Sequence, residues 1–149
     1  MSTIRGFCKM IKNTEEMEQE ITRTDNIYDL IDNSSDSFRS ETVSEYLKTK
    51  LAKKGMKAAA AVRGSGIDRC YGQQIISGIR TPSRDKLIAV SFGIGLSLDE
   101  VNELMKISCN RPLYSRDKRD AVIIYGISNG LDISKVNEIL YEKGIDIIE

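Results

Sequence analysis

Met56–Leu87, MKAAAAVRGSGIDRCYGQQIISGIRTPSRDKL, is the stretch on which the reading of the whole chain turns. Its alanines favour a helix from about Lys57 to Arg63, and the cluster Gly64-Ser65-Gly66 interrupts it. Asp68 then offers an N-cap for a second helix that ends at Ser77 before Gly78. At about 100° per residue, Tyr71, Gly72, Ile75 and Ile76 share one arc of that helix, and Arg69, Cys70, Gln73, Gln74 and Ser77 share the other. One face is suited to packing and the other to meeting a polar partner. Gly72 costs a helix interior roughly 1 kcal/mol relative to alanine, so tertiary packing must hold this helix in place.

On the N-terminal side, Thr42 and Glu45 have capping-box spacing, and Val43, Tyr46, Leu47 and Leu51 fall on one helical face that Gly55 terminates. On the C-terminal side, Pro82 suits a first helical position with Thr81 or Ser83 as cap, and that helix runs to about Phe92. Ser97 and Glu100 open the next, which carries Val101, Leu104, Met105 and Ile107 inward. A further helix starts between Arg116 and Asp120 and runs through AVIIYGI, and Asp132 opens the last, with Val136, Ile139 and Leu140 inward. Arg84-Asp85, Ile88, Gly95-Leu96 and Val101-Asn102-Glu103 recur as Arg119-Asp120, Ile123, Gly130-Leu131 and Val136-Asn137-Glu138, every match offset by 35 residues. A constant offset through two helices and their turn predicts a duplicated helical hairpin.

The first forty residues hold a weaker pattern. Asn13 and Glu16 are spaced as a capping box, Met10, Met17 and Ile21 lie on one stripe, and Ile27, Leu30 and Ile31 form a second apolar cluster. Asp32–Ser40, DNSSDSFRS, is polar and turn-rich, as a linker would be. The expected organisation is therefore all-α: a helical arm and linker over 1–39, a helix-turn-helix domain over 40–108, and a helical hairpin over 109–149.

The 149 residues carry 22 basic and 22 acidic side chains, yet the charge is segregated. Ten lysines and arginines stand between Lys48 and Lys86 against only Asp68 and Asp85, while residues 1–40 and 121–149 are each net acidic. A basic centre with acidic flanks favours an anionic partner at the centre. With no histidine, His-dependent triads and the usual zinc sites are excluded. Cys8, Cys70 and Cys109 are scattered and odd in number, as in a reduced cytosol. No apolar run approaches the length of a membrane span, and MSTIRGFCKMIK lacks the continuous apolar segment of a secretory signal, so export is not expected. The sequence therefore reads as a cytoplasmic non-enzyme without metal or cofactor. Gly64-Ser65-Gly66 and Gly93-Ile94-Gly95 lack the context of phosphate loops and read as turns. Arg111, Arg116, Lys118 and Arg119 form a second basic cluster, read as pairing with Asp117, Asp120 or solvent. The tail Ile145–Glu149 is apolar enough to dock on its own domain.

Glutamine can bond bidentately to the N6/N7 edge of adenine, and arginine to O6/N7 of guanine. Arg69, Gln73, Gln74 and Ser77 are the candidate base readers of double-stranded DNA. Lys57, Arg80, Thr81, Ser83 and Arg84 are the candidate phosphate ligands, helped by helix N-termini at Lys57 and Pro82.

Gly66-Ile67, Tyr71, Ile75, Gly78, Arg80-Thr81-Pro82-Ser83, Leu87-Ile88 and GLSLDEV, Gly95–Val101, resemble the helix-turn-helix domain of phage repressor and Cro type, the XRE family. The resemblance covers about Val43 to Met105, and LYSRDKRDAVII resembles an extension of some bacterial members. It implies a five-helix DNA-binding domain in a bacterial cytoplasmic regulator, repressor-like and commonly a homodimer. Leu113–Gly144 is the expected dimer surface. Two positions depart from the family. Ala58 stands where members usually begin their second helix with glutamine, and Ile76-Ser77 replaces the glutamate that commonly precedes Gly78. Domains of this type also survive as protein-docking modules, so an adaptor or antitoxin-like role is the competing reading.

Overall fold

The computed structural model describes residues 13–34 and 41–149, and every regular element among them is an α-helix. They belong to two units divided at residue 40. In the first, α1 (Thr14–Arg23) and α2 (Ile27–Asn33) touch one another. The Asn13–Glu16 capping box forms: Glu16 N donates to Asn13 Oδ1 at 2.8 Å and Asn13 N to Glu16 Oε2 at 3.1 Å. Among the described residues of the expected stripe Met17 is buried and Ile21 exposed, and Ile27 and Ile31 of the second cluster are exposed as well. Asp32 and Asn33 belong to α2 rather than to the linker. Cys8, Met10 and residues 35–40 lie outside the described residues.

The second unit comprises α3 (Val43–Lys53), α4 (Ala58–Ser65), α5 (Arg69–Ser77), α6 (Arg84–Ile94), α7 (Leu98–Ile107), α8 (Lys118–Ser128) and α9 (Ile133–Glu142). Residues 109–149, expected as an extension, pack within the same unit as residues 41–108. Helix α6 is its centre. Leu87, Ile88, Ala89, Val90, Ser91 and Ile94 are all buried, and a helix that is apolar on every side must be surrounded. It touches α4, α7 and α9. Its closest neighbour is α4: a Cβ on Gly93 would lie 2.0 Å from Ala61 O, and one on Gly64 would lie 3.3 Å from Gly93 Cα. Gly64 and Gly93 are thus helix-crossing residues rather than the turn residues expected. The turns are made by Gly66 and Gly95, which cap α4 and α6 at φ 71° and 78°.

Helix α6 begins at Arg84, with Ser83 as N-cap accepting from Lys86 N at 3.3 Å. Pro82 therefore precedes the cap instead of occupying the first helical position, and the helix runs two residues beyond Phe92. Helix α3 buries Tyr46, Leu47 and Leu51, as its spacing predicts. It is tied to α5 by Ser44 Oγ donating to Ile76 O at 2.6 Å, and to α7 by Tyr46 Oη donating to Glu100 O at 3.0 Å. In the second hairpin Ile123, Val136 and Leu140 are fully buried, and Gly126 makes room for Val136, whose Cγ2 would lie 2.3 Å from a Cβ there. The tail docks on its own unit: Ile148 is buried, and Asn137 both accepts from its N–H at 2.8 Å and donates to its carbonyl at 3.1 Å. Among the described residues no helix is long and apolar enough to cross a membrane.

The crossing glycines give a first expectation. Gly93→Ala should destabilise the protein by about 3 kcal/mol or more, because the atom it meets is backbone and α4 must retreat. A Cβ on Gly72 would instead meet the Val62 side chain at 2.5 Å, so Gly72→Ala should cost about 1–3 kcal/mol, with added Val62→Ala recovering part of it. Urea unfolding of the three variants checks both. A second expectation concerns Glu100, whose carboxyl is held down to about 2 by the Ser97 backbone N–H of its capping box and by Lys50 at 2.9 Å, against the opposing effect of burial. Its charge stabilises the fold above the ordinary carboxyl range near 4.5, and that contribution fades as pH falls toward about 2. Glu100→Gln keeps the capping geometry and removes the charge. The variant should be less stable than the parent at pH 6, and the difference should vanish near pH 2 in a pH series of unfolding curves.

Candidate nucleic-acid interface

Helix α5 is started by Asp68, whose Oδ2 accepts from Tyr71 N at 3.1 Å, and stopped by Gly78 at φ 88°. That left-handed turn lets Ile79 N and Arg80 N both reach back to Gln74 O, at 3.0 and 3.3 Å. Gly72, Ile75 and Ile76 are buried, with Gly72 set against Val62 of α4. The opposite arc faces outward as its spacing predicts: Arg69, Cys70 and Ser77 are exposed, and Gln73 and Gln74 are half-buried.

The four expected readers are brought to one face but differ in what they have free. Arg69 has no ion pair among the described residues, and Gln73 has no hydrogen bond there through its side chain. Ser77 turns its hydroxyl proton back to Gln74 O at 3.2 Å and keeps its acceptor capacity. Gln74 Oε1 accepts from Arg80 Nε. The Arg80 guanidinium also lies over the Tyr71 ring, 5.0 Å from its centroid, and Lys86 Nζ approaches the same ring at 5.5 Å.

Of the expected phosphate ligands, Lys57, Arg80, Thr81 and Ser83 are exposed. Lys57 stands at the N-terminus of α4, which begins without a side-chain cap. Arg84 is not available. Its Nε donates to Arg111 O at 2.9 Å, its Nη2 to Pro112 O at 3.3 Å, and Nη1 and Nη2 to the Asp120 carboxylate at 3.1 and 3.0 Å. A guanidinium so committed, on a side chain only 18 % exposed, cannot turn outward to phosphate.

Asp120 is 1 % exposed and also receives Arg111 Nη2 at 3.2 Å and Tyr114 N at 3.0 Å. Burial pushes its carboxyl up, but the bonds from Arg84 and Tyr114 and the charges of Arg84 and Arg111 outweigh it and hold the carboxyl below the usual range. Reciprocally, Arg119 donates to both oxygens of Asp85 at 2.9 and 2.6 Å, and that bond, opposed by burial, raises the guanidinium's affinity for its proton. The second basic cluster therefore divides. Arg111 pairs with Asp120, Arg119 pairs with Asp85 of the other hairpin, and Arg116 and Lys118 stay exposed.

Three residues join the site that spacing alone had not marked. Arg63, exposed at the end of α4, lines with Arg69 a groove of about 520 Å³ floored by Ala59, Val62 and Ile67. Tyr71 carries Arg80 over its ring, and Lys86 approaches the same ring. A basic residue on the last turn of the helix preceding α5 was a usable signal for Arg63; nothing in the sequence placed Arg80 on Tyr71, since a turn lies between them.

No protein-family model, curated protein or solved structure matches the chain.

The two Arg–Asp pairs differ in burial, and so should their cost. Asp120→Ala leaves Arg84 buried without its counter-ion and should destabilise by about 3–5 kcal/mol. Asp85→Ala removes a partner that is 30 % exposed and should cost about 1 kcal/mol or less. Equal costs in chemical denaturation would show that the two pairs do not differ in the way their burial implies.

Proposed function

We propose that residues 41–108 form a five-helix domain of repressor and Cro type that binds double-stranded DNA sequence-specifically, as a transcriptional regulator, with α5 in the major groove. The observation that carries this reading is the outward arc of α5. Arg69, Gln73, Gln74 and Ser77 stand together on a helix whose other face is buried, none of them paired with an acid among the described residues. Such an arc offers the donor and acceptor groups that base edges accept. Lys57, Arg80, Thr81 and Ser83 flank it as phosphate ligands, and Arg63 replaces Arg84 in that role. A single small reader contacts few base pairs, so the protein would act as a homodimer on a two-fold site.

The helical hairpins α6–α7 and α8–α9 are, in the same proposal, copies of one unit. Their hydrogen bonds support it at the 35-residue offset: Arg84 Nε reaches Arg111 O and Arg119 Nε reaches Asp146 O, both at 2.9 Å. Leu113 N donates to Asn102 Oδ1 at 2.9 Å and Ile148 N to Asn137 Oδ1 at 2.8 Å. Cys109 adopts φ 58° where Gly144 has 67°, a left-handed turn that a non-glycine residue rarely makes. The buried faces of α8 and α9 are committed within the chain, so a dimer contact through Leu113–Gly144 would use outer residues such as Tyr125 and Tyr141, which are exposed.

Ala58 at the start of α4 and the 76 % exposed Ile79 beside the reading arc favour the competing reading, a protein-docking module. Selection from random duplex DNA at low salt separates the two. Enrichment of a palindrome is expected. Affinity should fall steeply with salt, by a log–log slope of roughly −0.9 per phosphate contact, and Lys57→Ala should reduce that slope by about 1. Replacing Gln73 and Gln74 together with alanine should erase sequence preference while sparing salt-dependent binding. No binding at low salt, together with copurification of a partner protein, would favour the docking module instead.

A further inference from the structure

We infer that Arg80 is a positioning residue that turns Gln74 into a donor-type reader, so that Gln74 selects guanine while Gln73 selects adenine. The inference rests on the proposal that α5 reads DNA. A glutamine amide has one acceptor oxygen and two N–H donors, and pairing bidentately with adenine needs both kinds: the oxygen takes N6–H and the nitrogen gives to N7. In Gln74 the oxygen already accepts from Arg80 Nε. A cationic donor on the carbonyl draws density from the amide, which weakens the oxygen toward a second donor and strengthens the N–H groups. What remains facing outward is a pair of donors; guanine alone offers them two adjacent acceptors, O6 and N7, whereas an A·T pair sets the N6 donor of adenine between adenine N7 and thymine O4.

Arg80 is held to this task from several sides. Its backbone N–H bonds Gln74 O at 3.3 Å through the Gly78 turn, its guanidinium lies 5.0 Å over the Tyr71 ring, and Tyr71 is fixed on the helix by the Asp68 cap. The arrangement exists before any ligand arrives, so little rotamer freedom is lost when it is used. The guanidinium's Nη groups stay open for a phosphate, which lets Arg80 serve both roles. Gln73, one residue earlier, has no such partner among the described residues and retains both donor and acceptor. Two adjacent glutamines thus carry different base chemistries.

The test is selection from random duplex DNA with the full chain, run in parallel on the parent, Gln73→Ala, Gln74→Ala and Arg80→Ala, each checked for the parental helical signal and melting. The alanine variants of the glutamines assign one base pair to each. The parent is expected to prefer a G·C over an A·T pair at the Gln74 position, by about 5–100-fold. Arg80→Ala should release Gln74 Oε1 and move that position toward an A·T pair, with the Gln73 position unchanged. A structural role for Arg80 would weaken both positions together and change neither preference. An A·T pair at the Gln74 position of the parent, or an unchanged preference there in Arg80→Ala, overturns the inference while leaving α5 as reader. No enrichment by the parent at low salt overturns the DNA-binding proposal, and the inference falls with it.

Discussion

The packing of the second unit depends on how closely α4 approaches α6, and that distance exists only because Gly93 has no side chain. A single methyl there would lie within 2.0 Å of the Ala61 carbonyl oxygen, so no rotamer or small shift could admit it. Ala61 is completely buried at the crossing, and Gly64 faces Gly93 from the other helix. The glycine cost of roughly 1 kcal/mol per helix interior is offset by dispersion contacts along the crossing that larger residues would forbid. With α4 seated on α6 through Ala61, the adjoining flank of α4 offers Val62 to α5, and Gly72 accepts Val62 by the same device. The outward arc of α5 is therefore oriented by two successive glycine contacts, neither of which touches the arc itself.

The C-terminal end of α5 is secured differently. Ser44 of α3 donates to the Ile76 carbonyl, one of the last carbonyls that the helix cannot satisfy internally. This gives a local support at the position where the resembled family carries a glutamate and this chain carries Ile76-Ser77. The Gly78 turn then sends Arg80 back alongside Gln74. Fold and site meet in this turn, because the backbone conformation that ends the helix is also the one that delivers a cation to a glutamine.

What was legible in the sequence follows from which interactions are local. Capping boxes at Asn13–Glu16, Thr42–Glu45 and Ser97–Glu100 all form, since each needs only three residues and one turn of helix. The inner and outer arcs of α5 were legible for the same reason, through helical periodicity. Gly64 and Gly93 misled, because a glycine needed for a helix crossing looks in sequence like a glycine needed for a turn, and only the partner helix decides. Arg84 misled for an equally non-local reason: its charge lies beside the phosphate candidates Thr81 and Ser83, but its counter-ion is Asp120 on another hairpin. The aromatic platform under Arg80 was invisible to spacing because Tyr71 and Arg80 are separated by a helix end whose geometry periodicity does not describe.

The cross-pairing of Arg84 with Asp120 and Arg119 with Asp85 has a consequence for how far the hairpin array can extend. If each arginine paired with the aspartate of the following unit, the second hairpin would present an unpaired arginine and the array would be open to a third. Here each arginine pairs with the other hairpin's aspartate, and α6 touches α9 as α7 touches α8. That is the logic of an isologous contact, in which one patch satisfies another of its own kind and nothing is left over. Under the proposed duplication, the two hairpins make within one chain the kind of closed pair that two protomers usually make between chains. A second copy of the protein would find this arginine–aspartate surface already occupied. Under the proposal of a DNA-bound homodimer, its symmetry would have to come from a different face, and the large exposed side chains of the second hairpin, Tyr125 on α8 and Tyr141 on α9, lie outside the closed pair.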